Sequence, residues 1–456
     1  MKLRANVYIF LAALWCAIIL VYSLRTFQHY FILYPQSDDL AASRTPLHSF
    51  ASSRVPDACV DAYRLPGFVY FRADSADARY VPFYSEFHNG PELADAQYPR
   101  PAERGNLVLD DDAIEAEYMA LSPRPWFAEL QTYHRLLQAE SEIAEGGEHK
   151  IVLNTTEQAL HDEMRWLHDR RLLILGDSID RNMINFFCQD LGLNLTMDGG
   201  PVQGPKQTTA YCHVPLLNFT LMQWHIPGMF TYRPEWWWVE DMPLVAFEER
   251  FDQIFEKYSL PLVLGPSGSS PDLVLFASGL WDDRSFREAE LAEKYKDTPI
   301  ASRPEIKWNS ASQMHWRQLQ FLNARTQKFV AKIRSLFGTD VPLMYRSLIM
   351  RKNEKANDLG VVSIDRMTRS LSAQLGIEVF DWARIAYGFS GEYFDNIHIG
   401  HGHMSRIWAD MVLSYLFRSA GGIEVKGNVT VWPCDTAHNA RSWERCHSYF
   451  VEPLNR

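Results

Sequence analysis

Two short clusters in this sequence carry side chains suited to nucleophilic catalysis. Gly176-Asp177-Ser178 closes the apolar run Leu172 to Leu175, where a buried strand should give way to a helix. A serine at such a junction exposes its hydroxyl, and its own N–H lies near a helix N-terminus, which favours a developing negative charge. Gly176 permits a tight turn there. The same residues also suit a plain helix N-cap, because Asp and Ser are favoured caps for structural reasons alone. Asp395-Asn396-Ile397-His398 supplies what a serine lacks. A hydroxyl is a poor nucleophile until a base takes its proton, and histidine suits that task near neutral pH. An Asp three residues earlier can fold back in a turn and fix the imidazole tautomer. His401 and His403 follow closely, and H-x-x-H-x-H can be read as a metal cluster. No clear carboxylate or cysteine ligand set accompanies it. Turn or helix-start roles fit these two histidines better, and no metal is expected.

Such residues need elements that bring them together. Residues 171–177 read as a short buried strand, and 179–192 follow at helical spacing. Residues 272–279, 341–348 and 377–382 are three further strand candidates. Amphipathic helices are expected over 310–337, 361–375 and 404–417. Strands alternating with helices of ten or more residues imply an α/β fold with a parallel sheet and crossover helices. In such sheets sites lie at the carboxyl ends of the strands, so the ends near 177 and 395 could meet at one edge. Residues 58–110 read as short extended pieces such as 67–71 and 80–84, and 111–170 turn helical. The segment 265–271 reads as a loop. Trp236, Trp237 and Trp238, with Tyr232 and Trp281, suit either core packing or an aromatic platform for a sugar ring. Three consecutive tryptophans cannot all face one way, so one or two at most could line a cleft.

Charge and composition narrow the class. The chain has 456 residues, 47% hydrophobic and 22% charged, which excludes whole-chain disorder. Its formal net charge of -11 argues against nucleic acid as the main partner and fits a neutral or basic glycan better. Residues 7–24 form an uncharged apolar run of 18, close to the length of a membrane span. Lys2 and Arg4 precede it, so the positive-inside rule leaves residues 1–6 cytosolic and the body across the membrane. A cleaved signal peptide is the alternative, although the run exceeds the usual apolar length of one. A short span favours ER or Golgi over the cell surface. Asn154, Asn194, Asn218 and Asn428 sit in N-x-[ST] sequons, all after the span. Cys188 with Cys212 and Cys434 with Cys446 are the sequence-local disulfide pairings, Cys59 is left over, and other pairings stay open. The expected organisation is a tail (1–6), a signal anchor (7–24), a stem (25–57), an N-terminal extension (58–170), a catalytic domain (171–420) and a Cys-containing C-terminal segment (421–456).

Residues 176–182 read Gly-Asp-Ser-Ile-Asp-Arg-Asn, a GDSxxRN pattern, and 395–398 read DxxH. Together they resemble the GDSL/SGNH esterase superfamily, and within it the PC-esterase branch. That branch holds the plant trichome-birefringence-like polysaccharide O-acetyltransferases and the lumenal domains of capsule and sialic-acid O-acetyltransferases. The resemblance covers about residues 170–420. It implies a three-layer α/β/α domain, with Ser178 as nucleophile, His398 as base and Asp395 as its orienting partner. It implies oxyanion stabilisation partly by the Ser178 N–H, with Gly279 and Trp281 as candidates for oxyanion or substrate contacts; Arg181 and Asn182 are candidates by proximity to the serine, with a helix-surface or structural role as the alternative. Superfamily members often carry a GxND block; here Gly279-Leu280-Trp281-Asp282 puts Trp in place of Asn. The chain also departs from the plant continuation D-x-x-H-W-C-L-P-G, reading His398-Ile399-Gly400-His401 instead. The implied activity is O-acetyl transfer to a glycan or polysaccharide hydroxyl. Acetyl-ester hydrolysis and non-catalytic glycan binding are the alternatives. No tightly bound cofactor is expected, the acetyl donor is undefined, and a separate membrane transporter could deliver it.

Overall fold

Four aliphatic residues, Leu172 to Leu175, are fully buried at the centre of the molecule in a computed structural model of the chain. A continuous apolar run of this kind suits a strand covered on both faces. The structure describes residues 61–71, 78–83, 111–146, 155–201, 206–231, 244–277, 279–303, 313–352, 358–425, 428–430 and Trp443. The chain divides at Pro56/Asp57, and every described residue belongs to the second unit. The predicted anchor over 7–24 and the stem therefore lie outside the described residues. Among those described, no helix is long and apolar enough to cross a membrane.

The described elements begin with a hairpin, β1 (Gly67–Phe71) and β2 (Ala78–Pro82), then helices α1 (Asp111–Leu121), α2 (Trp126–Gly146) and α3 (Thr155–Met164). β3 (Arg171–Gly176) leads into α4 (Ser178–Asp190), followed by β4 (Thr196–Asp198), β5 (Thr209–Val214) and β6 (Phe219–His225). A helix, α5, then runs from Phe247–Arg250 through π-helical turns at Phe251–Ser259 to Leu260–Leu264. β7 (Leu273–Phe276), α6 (Leu280–Lys294), α7 (Trp316–Phe337), β8 (Leu343–Arg346), α8 (Leu359–Gln374) and β9 (Glu378–Phe380) complete the sheet. α9 (Trp382–Ala386), α10 (His403–Ser419) and a small pair, β10 (Ile423–Val425) and β11 (Asn428–Thr430), close the described chain.

The main sheet has seven strands in the order β4-β5-β6-β3-β7-β8-β9. β6, β3, β7, β8 and β9 run parallel, and β5 pairs antiparallel with both β4 and β6. The fold is thus mixed α/β with a mostly parallel sheet flanked by helices. The strand that carries Gly176 is central. From β3 the chain first moves to one side, towards β6, and later returns to build β7 on the other. The direction of winding reverses at the end of β3, the place where ligands bind in open α/β sheets, and Ser178 follows that strand end.

The four strands read from the sequence match β3, β7, β8 and β9, each trimmed by one to four residues. β4, β5 and β6 were not anticipated. They occupy the stretch between the first two predicted strands, where Pro215 and the left-handed Asn218 (φ 47°) make the connection from β5 to β6. The region before residue 170 shares the main apolar core: Trp126 lies 4.5 Å from Phe417 of α10, and the Phe127 N–H donates to the Asp410 carboxylate at 2.7 Å. Cys188, near the end of α4, is disulfide-bonded to Cys212 of β5. Cys434 and Cys446 lie outside the described residues, as does Asn154. Asn194 and Asn218 are exposed, and the Asn218 amide donates to Asp169 at 2.7 Å.

Candidate active site

Ser178 is the first residue of α4 and is half-buried. Its Oγ lies 2.8 Å from Nε2 of His398, and Nδ1 of His398 lies 2.7 Å from Oδ2 of Asp395. The three predicted residues therefore form one continuous hydrogen-bonded chain across the carboxyl edge of the sheet. The other carboxylate oxygen of Asp395 accepts the N–H groups of Ile397 and His398, each at 2.7 Å. Partial burial would raise the Asp395 carboxyl. The hydrogen bonds from the His398 ring, the His398 N–H and the Ile397 N–H outweigh it and hold the group below its ordinary value. The carboxylate is kept charged and its orientation toward Nδ1 is fixed.

The strand-to-helix junction is built around a carboxylate that the motif reading overlooked. Asp177 caps α4 by accepting the Ile179 N–H at 2.9 Å, and Asp180 reaches back to accept the Asp177 N–H at 3.2 Å. This reciprocal capping box satisfies donors that a helix start would otherwise leave bare. Asp180 is fully buried and also holds Arg346, the last residue of β8, through two bonds of 2.9 and 2.7 Å. Burial pushes the Asp180 carboxyl up, against the attraction of Arg346. Burial would lower the Arg346 guanidinium, but Asp180 and Asp177 together raise it, so it stays charged. Gly176 is required for space: a Cβ there would sit 2.0 Å from the Asp180 carboxylate. The D-x-x-D spacing at 177–180 and a lone Arg ending an apolar strand were the sequence signals for this network.

The histidine loop is anchored separately. Tyr393 and Ile399 form an antiparallel bridge, and the Phe394 N–H donates to the His398 carbonyl at 3.1 Å. The Tyr393 hydroxyl donates to the Met350 carbonyl at 2.6 Å, and Lys352 Nζ donates to the Tyr393 carbonyl at 3.0 Å. His401 lies 2.9 Å from Asp190, the last residue of α4, and His403 lies 2.9 Å from Glu392. Each of these histidines thus has its own carboxylate and braces the loop. Among the described residues no group of three or more metal-ligating side chains gathers. Phe394, unnoticed in the sequence, is 61% exposed and stacks nearly parallel to the His398 ring, with centroids 5.6 Å apart.

The remaining predicted residues lie around Ser178. Arg181 and Asn182 are half-buried in the first turns of α4. Burial lowers the Arg181 guanidinium, and the charge of Asp177 partly opposes this. Gly279 precedes α6, just past the end of β7, the neighbour of β3; a Cβ there would strike Leu348 at 2.1 Å. Trp281 is half-buried and stands edge-on to His225 at 5.7 Å. The next residue, Asp282, accepts the Met229 N–H at 2.6 Å and ties α6 to the turn after β6. Tyr232 and Trp236 to Trp238 lie outside the described residues. No protein-family model and no curated protein matches the chain.

Proposed function

We propose that this protein is a serine-dependent acyl-transfer enzyme that moves acetyl groups onto glycan hydroxyls. The carrying observation is the Ser178–His398–Asp395 chain, with bonds of 2.8 and 2.7 Å. Side chains 220 positions apart have no local structural reason to meet in this order. In the proposed first step His398 Nε2 takes the Ser178 proton as Oγ attacks the acetyl carbonyl carbon. The tetrahedral oxyanion collapses, and His398 gives that proton to the departing donor oxygen or sulfur, leaving acetyl-Ser178. A sugar hydroxyl then gives its proton to His398 and attacks the acetyl carbon. The proton returns to Ser178 Oγ when the ester is released. The Ser178 N–H, at the start of a 13-residue helix, is well placed to meet the oxyanion, with Arg181 and the Gly279 N–H as further donors.

The GDSxxRN and DxxH motifs, the α/β sheet and the placement of Ser178 at a strand end support an SGNH-like three-layer domain of the PC-esterase branch. The sequons, the Cys188–Cys212 bond and the apolar 7–24 segment support a type II membrane protein of the ER or Golgi with a lumenal body. On this reading an acetyl donor is delivered by a separate membrane partner. Hydrolysis is a second reading, favoured by the exposure of the triad: the Asp395 side chain is 45% exposed and that of His398 20%, so water can reach the acyl-enzyme.

The test is covalent trapping. A fluorophosphonate or an acetyl donor should label Ser178 in the wild type and fail to label Ser178→Ala. Turnover that survives this substitution overturns the nucleophile assignment, and an unlabelled wild type returns the protein to the glycan-binding class. Transfer to unacetylated oligosaccharide, measured against acetate release, separates transferase from esterase.

A further inference from the structure

His225 ends β6 in register with Gly176, so it stands one strand away from the nucleophile junction. Its side chain is 1% exposed, and neither ring nitrogen has a hydrogen-bond partner. Buried polar groups in folded proteins are almost always paired, so an orphan of this kind marks a place where something else binds. Strand alternation fixes where it lies. Leu175 and Trp224 are register partners on one face of the sheet, where Trp224 packs on Phe251 and Phe255 of α5. Gly176 and His225 belong to the opposite face, the face of Asp180 and α4.

The charges that act on His225 are of one sign. Burial first, and then the charges of Arg250, Arg181 and Lys206, hold His225 well below the ordinary histidine range. Arg250 is fully buried, donates to the carbonyls of Leu244, Lys206 and His225, and lays its guanidinium over the Trp224 ring at 5.1 Å, on the face opposite the His225 side chain. Burial pulls that guanidinium down to about 10. Arg181 donates no side-chain hydrogen bond among the described residues, and the nearby Asp177 is already occupied in capping Ile179. Arg181 on α4 and the orphan imidazole on the α4 face of β6 thus stand close to the nucleophile junction, and among the described residues no carboxylate is hydrogen-bonded to Arg181. Asp177 offsets the Arg181 charge only in part, and an anion seated beside it would offset the rest. The negative net charge of the whole chain gives no hint of this local field.

We infer that His225, with Arg181, forms a subsite beside Ser178 for a permanently anionic group, a carboxylate or phosphate, carried by the substrate. The inference rests on the acyl-transfer reading and names its substrate class. A seated anion would hydrogen-bond Arg181 and the His225 N–H. Its charge would also favour the protonated ring, which turns both nitrogens into donors. The sources differ: a carboxylate belongs to a uronic-acid sugar in the acceptor, and a phosphate to the acetyl donor.

The test uses the full-length protein and compares matched substrates. Acceptor KM is measured for digalacturonate against a neutral disaccharide, with p-nitrophenyl acetate as donor. Donor KM is measured for acetyl-coenzyme A against the same neutral ester. An anionic substrate should show a KM roughly tenfold or more below its neutral counterpart. The acceptor arm then identifies a sugar carboxylate, and the donor arm a phosphate. His225→Leu should abolish that preference by raising KM for the anionic substrate alone, while fluorophosphonate labelling of Ser178 keeps its rate. Should His225→Leu fail to fold, the wild-type comparison and His225→Gln decide. Equal KM values in both arms overturn the subsite, as does a His225 variant that slows labelling and neutral turnover equally. A wild type that cannot be labelled overturns the acyl-transfer reading instead.

Discussion

Asp395 illustrates how a single carboxylate can be fully used although nearly half exposed. One oxygen holds the His398 ring and the other holds two backbone N–H groups of its own turn. Asp395→Asn keeps the shape of that turn but offers an amide where Nδ1 needs an acceptor. Turnover at the pH optimum should fall by about 10² to 10⁴, as expected when a triad histidine loses its orienting carboxylate. Circular dichroism should be unchanged. A variant within threefold of wild type would remove Asp395 from the proposed mechanism. At this scale the sequence was informative where chemistry repeats a short local pattern: GDS and DxxH were both legible. Asp180 and Arg346 were not read as a pair, because their bond spans 166 positions and each local signal, the D-x-x-D spacing or the strand-end Arg, says nothing of the other. Phe394 and His225 were missed for a related reason. An exposed aromatic or a polar strand end acquires meaning only from what stands beside it.

The elements around the nucleophile hold it by two independent ties. One is the buried Asp180–Arg346 pair, which joins α4 to β8. Arg346→Leu removes one partner and leaves carboxylate charge inside, so unfolding free energy should fall by about 3 to 5 kcal/mol at neutral pH. The pH dependence has a definite sign. Burial already raises the Asp180 carboxyl, and without Arg346 only the hydrogen bond from the Asp177 N–H opposes that rise. The folded variant then holds a proton that the unfolded chain releases, so the variant should gain stability as pH falls toward the ordinary carboxylate range. Urea unfolding at pH 5 and pH 8 checks this, and a deficit that grows at low pH would contradict it. The second tie is the Cys188–Cys212 disulfide between α4 and β5. Cys188→Ala with Cys212→Ala should cost about 2 to 4 kcal/mol, since a bond closing a loop of this size restricts the unfolded chain. The parallel strands were legible because β3, β7 and β8 are short, wholly buried runs. β5 and β6 were not: their interrupted apolar pattern and polar residues such as Gln223 and His225 read as an insertion, and only pairing beside β3 makes them part of the sheet.

For the whole molecule, the proposed lumenal placement makes a direct prediction. Asn194 and Asn218 are exposed sequon residues on the described surface. Expression through a eukaryotic secretory pathway should give a glycoprotein whose mass drops on endoglycosidase treatment, with peptides carrying sugar at both positions. Unmodified Asn194 and Asn218 would argue against the lumenal assignment. The hydroxyl and the imidazole of the proposed triad come from opposite sides of the sheet sequence, so cleavage between them should leave neither half competent alone.

Helix α4 touches the histidine loop twice. Its first residue meets His398, and its last, Asp190, holds His401 three positions further on. Between those contacts the backbone rises about 1.5 Å per residue and turns about 100° per residue. The helix therefore works as a gauge block: its length, more than its composition, sets the gap between nucleophile and base. Surface positions along it should accept many side chains, whereas adding or deleting one residue would break one contact or the other. In any set of natural or engineered variants of this chain, the exposed positions of 178–190 should change in identity, whereas Ser178, Asp180, Cys188, Asp190 and the number of residues between them should not.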